Sequence, residues 1–277
     1  TNIAPVNITG EYGQFNSVYN DTRFGISQSF NFPTVYSRQK KLYTEEWKTS
    51  ALNVIVKEAE LKREVTKTFY ILVHLNEKEK LLQKSDTIFA EFLKKSELRF
   101  NKGESNVLEK TTADNQRGTI KMQLLQLREE KKLVQNHFQL LLNSDEELVP
   151  NEVTLKLVLD KTIDSTLVAQ HPYLTLLEQQ KKVSSVATKL EQSKVLPNFI
   201  LGYNTTSITG NGADNVFYDK SNRFQSAQFG IGIPLLGGYQ KAKIAASKVG
   251  ETLSQNELEK EKQLLQKQFK ATLNQYN

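Results

Sequence analysis

Cysteine is absent, methionine and tryptophan each occur once, and glycine and proline are sparse, at 13 and 6 of 277 residues. Without cysteine there is neither a disulfide framework nor a thiolate metal site, and the chain suits any compartment, including the oxidising cell envelope. No run of about 18 apolar residues occurs, which excludes a membrane-spanning helix but leaves open a membrane-spanning barrel, whose strands carry a weaker signal. No charged segment followed by an apolar one opens the chain at Thr1, so no signal peptide is expected in it as it stands, and a mature or trimmed segment is. The net charge of +6 is spread among alternating signs, as in Glu129-Glu130-Lys131-Lys132. That pattern describes solvated helix faces and argues against a nucleic-acid partner.

What is present is helical rod. With 38% hydrophobic and 25% charged residues, the chain reads as elongated and helical, its core a seam along helices. Pro33 to Phe100 contains no internal Pro or Gly and predicts one continuous helix, about 100 Å long at 1.5 Å per residue. A sevenfold row runs through it as Val54, Leu61, Thr68, Leu75, Leu82 and Phe89, and a second follows as Ala113, Ile120, Leu127, Val134 and Leu141. These rows predict an antiparallel coiled hairpin. Its turn falls at Arg99 to Ser105, where Asn101 and Gly103 permit left-handed geometry. Asn143 to Asn151, with Pro150, breaks the second helix. A shorter helix is expected over Leu155 to Ala169, and another from His171-Pro172 to about Val195.

Two stretches flanking the rod alternate with period two. Val6, Ile8 and Tyr12 oppose Asn7, Thr9 and Glu11, while Phe24, Ile26, Phe30 and Phe32 oppose Arg23, Gly25, Ser27, Ser29 and Asn31. Further on, Phe199, Leu201 and Tyr203 share one strand face, and Phe229, Ile231 and Ile233 share another, with a polar loop from Thr209 to Asn222 between them. An aromatic or aliphatic face backed by a polar one suits a sheet between lipid and water, and equally a soluble hairpin packed on a helix. A charged helix starts near Tyr239.

The arrangement repeats. Phe24-Gly25-Ile26-Ser27 aligns with Phe229-Gly230-Ile231-Gly232, and Tyr36-Ser37-Arg38-Gln39-Lys40 aligns with Tyr239-Gln240-Lys241-Ala242-Lys243, so strand, strand, long helix is expected twice. Four strands cannot close a barrel. On the lipid reading, other subunits must complete the sheet, because unpaired edge groups are costly in hydrocarbon.

Chemical motifs are sparse. His74, His137 and His171 have no ligand spacing, and the single Met122 offers no soft thioether cluster, so no metal is expected. Gly230-Ile231-Gly232 lacks the phosphate-loop Lys, and no Ser or Asp stands in a nucleophile motif. No catalytic residue, no cofactor and no enzyme activity are expected.

In order and spacing, Leu98-Arg99-Phe100-Asn101-Lys102-Gly103-Glu104-Ser105-Asn106-Val107-Leu108, the segment Leu140 to Asn143, His171-Pro172-Tyr173-Leu174 and Leu196-Pro197-Asn198-Phe199 resemble the TolC-like family of outer-membrane efflux proteins over nearly the whole chain. The resemblance implies an α+β membrane fold, with long antiparallel helical coiled hairpins and two β-hairpins contributing to an oligomeric transmembrane β-barrel. It divides the chain into a first β-hairpin (1–33), a long helical hairpin of the periplasmic tunnel (34–142), equatorial and ascending helices (143–197), a second β-hairpin (198–236) and the start of a second long helix (237–277).

Function follows from the same resemblance. It implies a homotrimer forming a passive export duct, docked to a periplasmic adaptor (a membrane fusion protein) and through it to an inner-membrane RND-type transporter, with outer-membrane lipid around the barrel. The adaptor-contact positions are Arg99, Phe100, Asn101, Lys102, Gly103, Glu104, Ser105, Asn106 and Val107. Lipid-facing positions are Phe24, Ile26, Phe30, Phe32, Phe199, Leu201, Tyr203, Phe229, Ile231 and Ile233. The family's helix before the first strand, its second tip and the N-terminal lipidated Cys of many members have no counterpart here, so no gate residue is assigned. Metal ions, drugs and secreted proteins are all compatible cargo. The alternative reading is a soluble coiled-coil scaffolding protein, with the strands as end caps.

Overall fold

The computed structural model describes residues 3–15, 18–151, 166–234 and 237–276. In chain order the elements are β1 (Asn7–Gly13), β2 (Asp21–Phe30), α1 (Pro33–Asn101), α2 (Val107–Leu142), α3 (Thr166–Ala169), α4 (Pro172–Ser193), β3 (Asn198–Ser207), β4 (Gly210–Asn211), β5 (Phe217–Tyr218), β6 (Arg223–Gly232) and α5 (Gly238–Tyr276). Contacts divide the chain into one unit of Thr1–Val54 with Ser165–Asn277 and a second of Ile55–Asp164. Helix α1 contributes residues to both.

In the first unit, an antiparallel sheet has the order β1-β2-β3-β6, which makes β1 and β6 its edges. Three of its strands are 10 residues long and β1 is 7. Pro33 ends the run that follows β2 and opens α1, where its missing N–H costs no helical hydrogen bond. His171 caps α4, its Nδ1 accepting the Tyr173 N–H at 3.2 Å, with Pro172 in the first turn. Helix α4 is the core of this unit. It buries Leu174, Leu176, Leu177, Val186 and Leu190, a set too broad for one stripe, because it packs between two helices. Gln179 Nε2 donates to the Glu45 carbonyl of α1 at 3.1 Å and to its carboxylate at 2.6 Å. On the α5 side, the Ser184 and Ser254 hydroxyls lie 2.8 Å apart and Gln240 Nε2 donates to the Glu191 carbonyl at 2.9 Å.

The second unit is the helical hairpin. Antiparallel pairing of α1 and α2 is fixed by Arg117 to Asp86 at 3.2 Å, Lys131 to Glu79 at 3.0 Å and Lys110 to Glu97 at 3.3 Å. Leu72, Val73 and Leu75 of α1 are buried, as are Ala113, Ile120, Leu127 and Phe138 of α2, and the Phe69 and Phe138 rings sit 6.5 Å apart. Truncating Leu72 to Ala would cost about 2–5 kcal/mol by the usual cavity relation.

The expected row of α2 lines this core, whereas the expected row of α1 does so only in its second half. Thr68 and Leu75 are buried, but Val54 and Leu61 are exposed. With 36 residues against 69 in α1, α2 reaches back only to about the middle of its partner.

Boundaries shift in other places. Phe32 and Ile233 fall just outside β2 and β6, β6 begins at Arg223, ahead of the Phe229, Ile231 and Ile233 positions expected in it, and the Thr209–Asn222 loop contains the β4–β5 hairpin. Of the helix expected over 155–169, Thr166–Ala169 is helical as α3, and residues 152–165 lie outside the described residues.

Candidate functional site

Backbone register sorts the sheet into two faces. On one, Phe30, Phe199 and Ile231 form a row, followed by Gln28, Leu201 and Phe229, then Ile8, Ile26, Tyr203 and Ala227, then Phe24 with Thr205. This places eight of the ten expected strand residues together, with Phe32 brought in by its ring contact of 6.1 Å to Phe199. Exposure is large: 66% for Phe229, 56% for Phe24 and 51% for Leu201. A contiguous exposed apolar patch of this kind marks an interaction surface, for protein or for membrane. Polar side chains also stand on this face, Thr205 and Gln225 in the Phe24 row and Gln28 between the apolar rows, where its amide donates to the Ala4 carbonyl at 3.2 Å. The period-two reading passed over Gln28, and its hydrogen bond is what makes the position tolerable.

The other face carries Asn7, Thr9, Gly25, Ser27, Ser29, Asn204, Gly202, Ser226, Gln228 and Gly230, with Ile200 and Phe224 as the apolar exceptions. Gly25 leaves room for two side chains that lean over it. A Cβ there would stand 2.4 Å from Asn204 Oδ1 and 2.7 Å from Thr9 Oγ1.

The loop-side end of the sheet is tied by residues that no sequence pattern singled out. Asp21 is fully buried at the start of β2, and its Oδ1 accepts from Ser207 Oγ at 3.0 Å and from Thr209 N and Oγ1 at 2.9 Å each. Two arginines lie at this end on opposite faces. Arg23, on the polar face, pairs with Glu11 at 3.0 Å. Arg223 lies on the apolar face, its guanidinium 5.3 Å from the Phe24 ring centroid. In the adjoining loop, the Tyr218 hydroxyl donates to Asp214 at 2.8 Å. That bond, with the Val216 N–H, holds the Asp214 carboxyl below the usual carboxylate range and raises Tyr218.

At the hairpin turn, helix α1 continues through Phe100 and Asn101, so Gly103 alone takes the left-handed conformation, at φ 73°. The Gly103 N–H bonds the Phe100 carbonyl at 3.0 Å and the Glu104 N–H bonds the Arg99 carbonyl at 2.9 Å. These are the paired bonds of a glycine helix stop. Asn106 opens α2, its Oδ1 accepting the Glu109 N–H at 3.1 Å. Glu109 in turn accepts from Ser105 Oγ and pairs with Arg99 at 3.0 Å. The spacing of Asn106 and Glu109 is a capping signal that was available in the sequence. Leu98, Phe100, Val107 and Leu108 remain exposed around this turn.

Among the described residues no group of three or more His, Asp or Glu is gathered as a metal site, and no helix is long and apolar enough to cross a membrane.

A mostly helical chain with long antiparallel helices and a four-stranded, two-faced antiparallel sheet has the fold of the TolC-like outer-membrane efflux channels. The particular likenesses are to solved structures. CusC superposes with a TM-score of 0.74 at 15% identity over 95% of this chain and 64% of its own. The Campylobacter jejuni CmeC outer-membrane channel gives 0.70 at 14% identity over 92% and 58%. The open state of the Neisseria gonorrhoeae MtrE outer-membrane channel gives 0.66 at 13% over 97% and 62%. This chain therefore spans about three fifths of the length of the structures it matches. No family model and no curated protein matches the sequence.

Proposed function

We propose that the chain is the larger part of an outer-membrane channel subunit, a passive export duct of a tripartite efflux assembly. The observation that carries this reading is the sheet. Ten-residue strands are the length that crosses a bilayer when tilted, and an exposed apolar face backed by Ser, Thr, Asn and Gly is the pattern of a barrel wall between lipid and a watery lumen. The edges β1 and β6 carry unpaired ladder groups that hydrocarbon does not tolerate, which favours closure by further copies. Three subunits of four strands would close a twelve-stranded barrel. In this reading Phe24, Ile26, Phe30, Phe32, Phe199, Leu201, Tyr203, Phe229, Ile231 and Ile233 face lipid, and the helices line a periplasmic tunnel.

The turn from Arg99 to Val107 is the proposed contact for a periplasmic adaptor, which would connect the duct to an inner-membrane transporter of the RND type. Its support is a turn pre-organised by the glycine stop, the Asn106 cap and the Arg99–Glu109 pair, surrounded by exposed apolar side chains. The duct itself performs no covalent chemistry in this reading, and energy and selectivity come from the partners.

Conductance tests the reading. Full-length protein reconstituted in planar bilayers is expected to give ion-conducting steps and to fractionate with outer membranes. A soluble protein with no conductance would overturn the duct and favour the coiled-coil scaffold.

A further inference from the structure

Arg223 opens β6 on the apolar face of the sheet, in one row with Tyr12, Thr22 and Ser207. That row borders the apolar band on the loop side. Nε of Arg223 donates to Thr205 Oγ1 at 3.1 Å, Nη1 to Thr22 Oγ1 at 2.6 Å and Nη2 to the Thr205 carbonyl at 2.8 Å. Three of its five N–H groups are thereby fixed to neutral acceptors, and the guanidinium is stacked over Phe24. Among the described residues no carboxylate lies within ion-pair distance of it. Arg23, the equivalent cation on the polar face, has Glu11 at 3.0 Å.

We propose that Arg223 is the cation of a headgroup site at this rim, and that its ligand is the phosphate of an anionic lipid. The proposal rests on the reading of the apolar face as lipid-facing. A guanidinium held against apolar surface without a counter-charge is unfavourable unless an anion comes to it. Its remaining N–H groups form part of a planar fork that matches phosphate oxygens, and its hydrogen bonds to Thr22 and Thr205 remove the rotamer entropy that a free Arg would lose on binding. Tyr12, 70% exposed in the same row, supplies the amphipathic ring expected at a membrane interface. Acyl chains of the same lipid would then lie along Phe24, Ile26 and Tyr203. A lipid phosphate is favoured over free phosphate because the anion and the apolar surface are adjacent.

The test uses full-length protein in nonionic detergent, with retained lipid counted by native mass spectrometry. Three probes are compared: dioleoyl phosphatidic acid, dioleoylglycerol as the same chains without phosphate, and inorganic phosphate as competitor. Wild type is expected to retain phosphatidic acid about tenfold over dioleoylglycerol, Arg223→Gln to lose that preference, and Arg223→Lys to keep part of it. Inorganic phosphate is expected not to displace the lipid, and Glu11→Gln, on the opposite face, to change nothing. Undiminished preference in Arg223→Gln, none in wild type, displacement by inorganic phosphate, or a gain in Glu11→Gln would each overturn the site.

A separate arm isolates the underlying reading. The chain has no cysteine, so within it Leu201→Cys carries the fluorophore at one position, measured against the same protein labelled without that substitution, and brominated acyl chains quench it if this face meets lipid. Quenching together with unchanged retention in Arg223→Gln sinks the headgroup site alone. Absence of quenching sinks the lipid-facing sheet.

Discussion

Arg99 Nη1 lies 3.0 Å from Glu109 Oε1, so an ion pair joins the last turn of α1 to the first turn of α2 across the glycine stop. Glu109 also accepts from Ser105, and its backbone N–H is capped by Asn106. One carboxylate thus ties both helix ends.

Changing Gly103 or Arg99 should therefore disturb the turn while leaving the rest of the hairpin intact. Gly103→Ala places a Cβ at φ 73° and is expected to cost about 1 kcal/mol. Arg99→Glu puts like charges opposite one another and should weaken adaptor cross-linking with little change in the melting temperature. Adaptor cross-linking unaffected by either substitution would count against the tip assignment.

An added positive charge should distinguish the two sheet faces. Leu201→Arg on the apolar face is expected to cost about 2–4 kcal/mol of membrane assembly, while Ser27→Arg on the polar face should assemble near wild-type levels. The measurement is the fraction of oligomer recovered from membranes. Equal effects at both positions would contradict a lipid-facing sheet.

A Cβ at Gly25 would displace the Asn204 and Thr9 side chains from their present positions. Gly25→Ala should reduce assembly by an overpacking cost of about 1–3 kcal/mol, and Asn204→Gly should restore part of it. The double variant assembling no better than Gly25→Ala would show that the crowding lies elsewhere.

Loss of the Asp21 carboxylate should release the loop that follows β3. Its Oδ1 holds Ser207 and both donors of Thr209, so Asp21→Ala is expected to speed proteolysis within residues 209–222 while leaving helical content unchanged. An unaltered cleavage rate would mean that the β4–β5 hairpin holds the loop without it.

Glu45 gives a pH dependence. Lys48 first, and then the Gln179 amide, hold its carboxyl below the usual carboxylate value. A group depressed on folding stabilises above its unfolded value, and that contribution is lost as pH falls through the lowered folded value. Glu45→Gln should therefore flatten the acid limb of a thermal-stability profile while leaving its alkaline side unchanged. An acid limb of the same steepness would remove Glu45 from the account.

The rods and the two-faced strands were legible because period seven and period two are local signals. Ala113, Ile120 and Leu127 announce a buried stripe by spacing alone, and Phe229-Gly230-Ile231 announces a face. What was not legible depends on partners distant in the chain. Val54 and Leu61 fit the row and yet stay exposed, because α2 is too short to cover them. Asp21 reads as a turn residue until β3 brings Ser207 to it across 186 positions. Gln28 and Arg223 break the apolar face, and each is accommodated by hydrogen bonds that only the register creates.

The pairing of β2 with β3, as in Arg23 with Thr206, joins segments separated by the whole of both long helices. A contact of such sequence separation forms slowly, since the loop it closes must be ordered first. The β1–β2 hairpin alone is a two-stranded ribbon of marginal stability. During synthesis β2 therefore has only β1 beside it, and its β3 edge stays open at Phe24 and Ile26 until β3 has been made, an interval in which a carrier that shields exposed strands from aggregation would act.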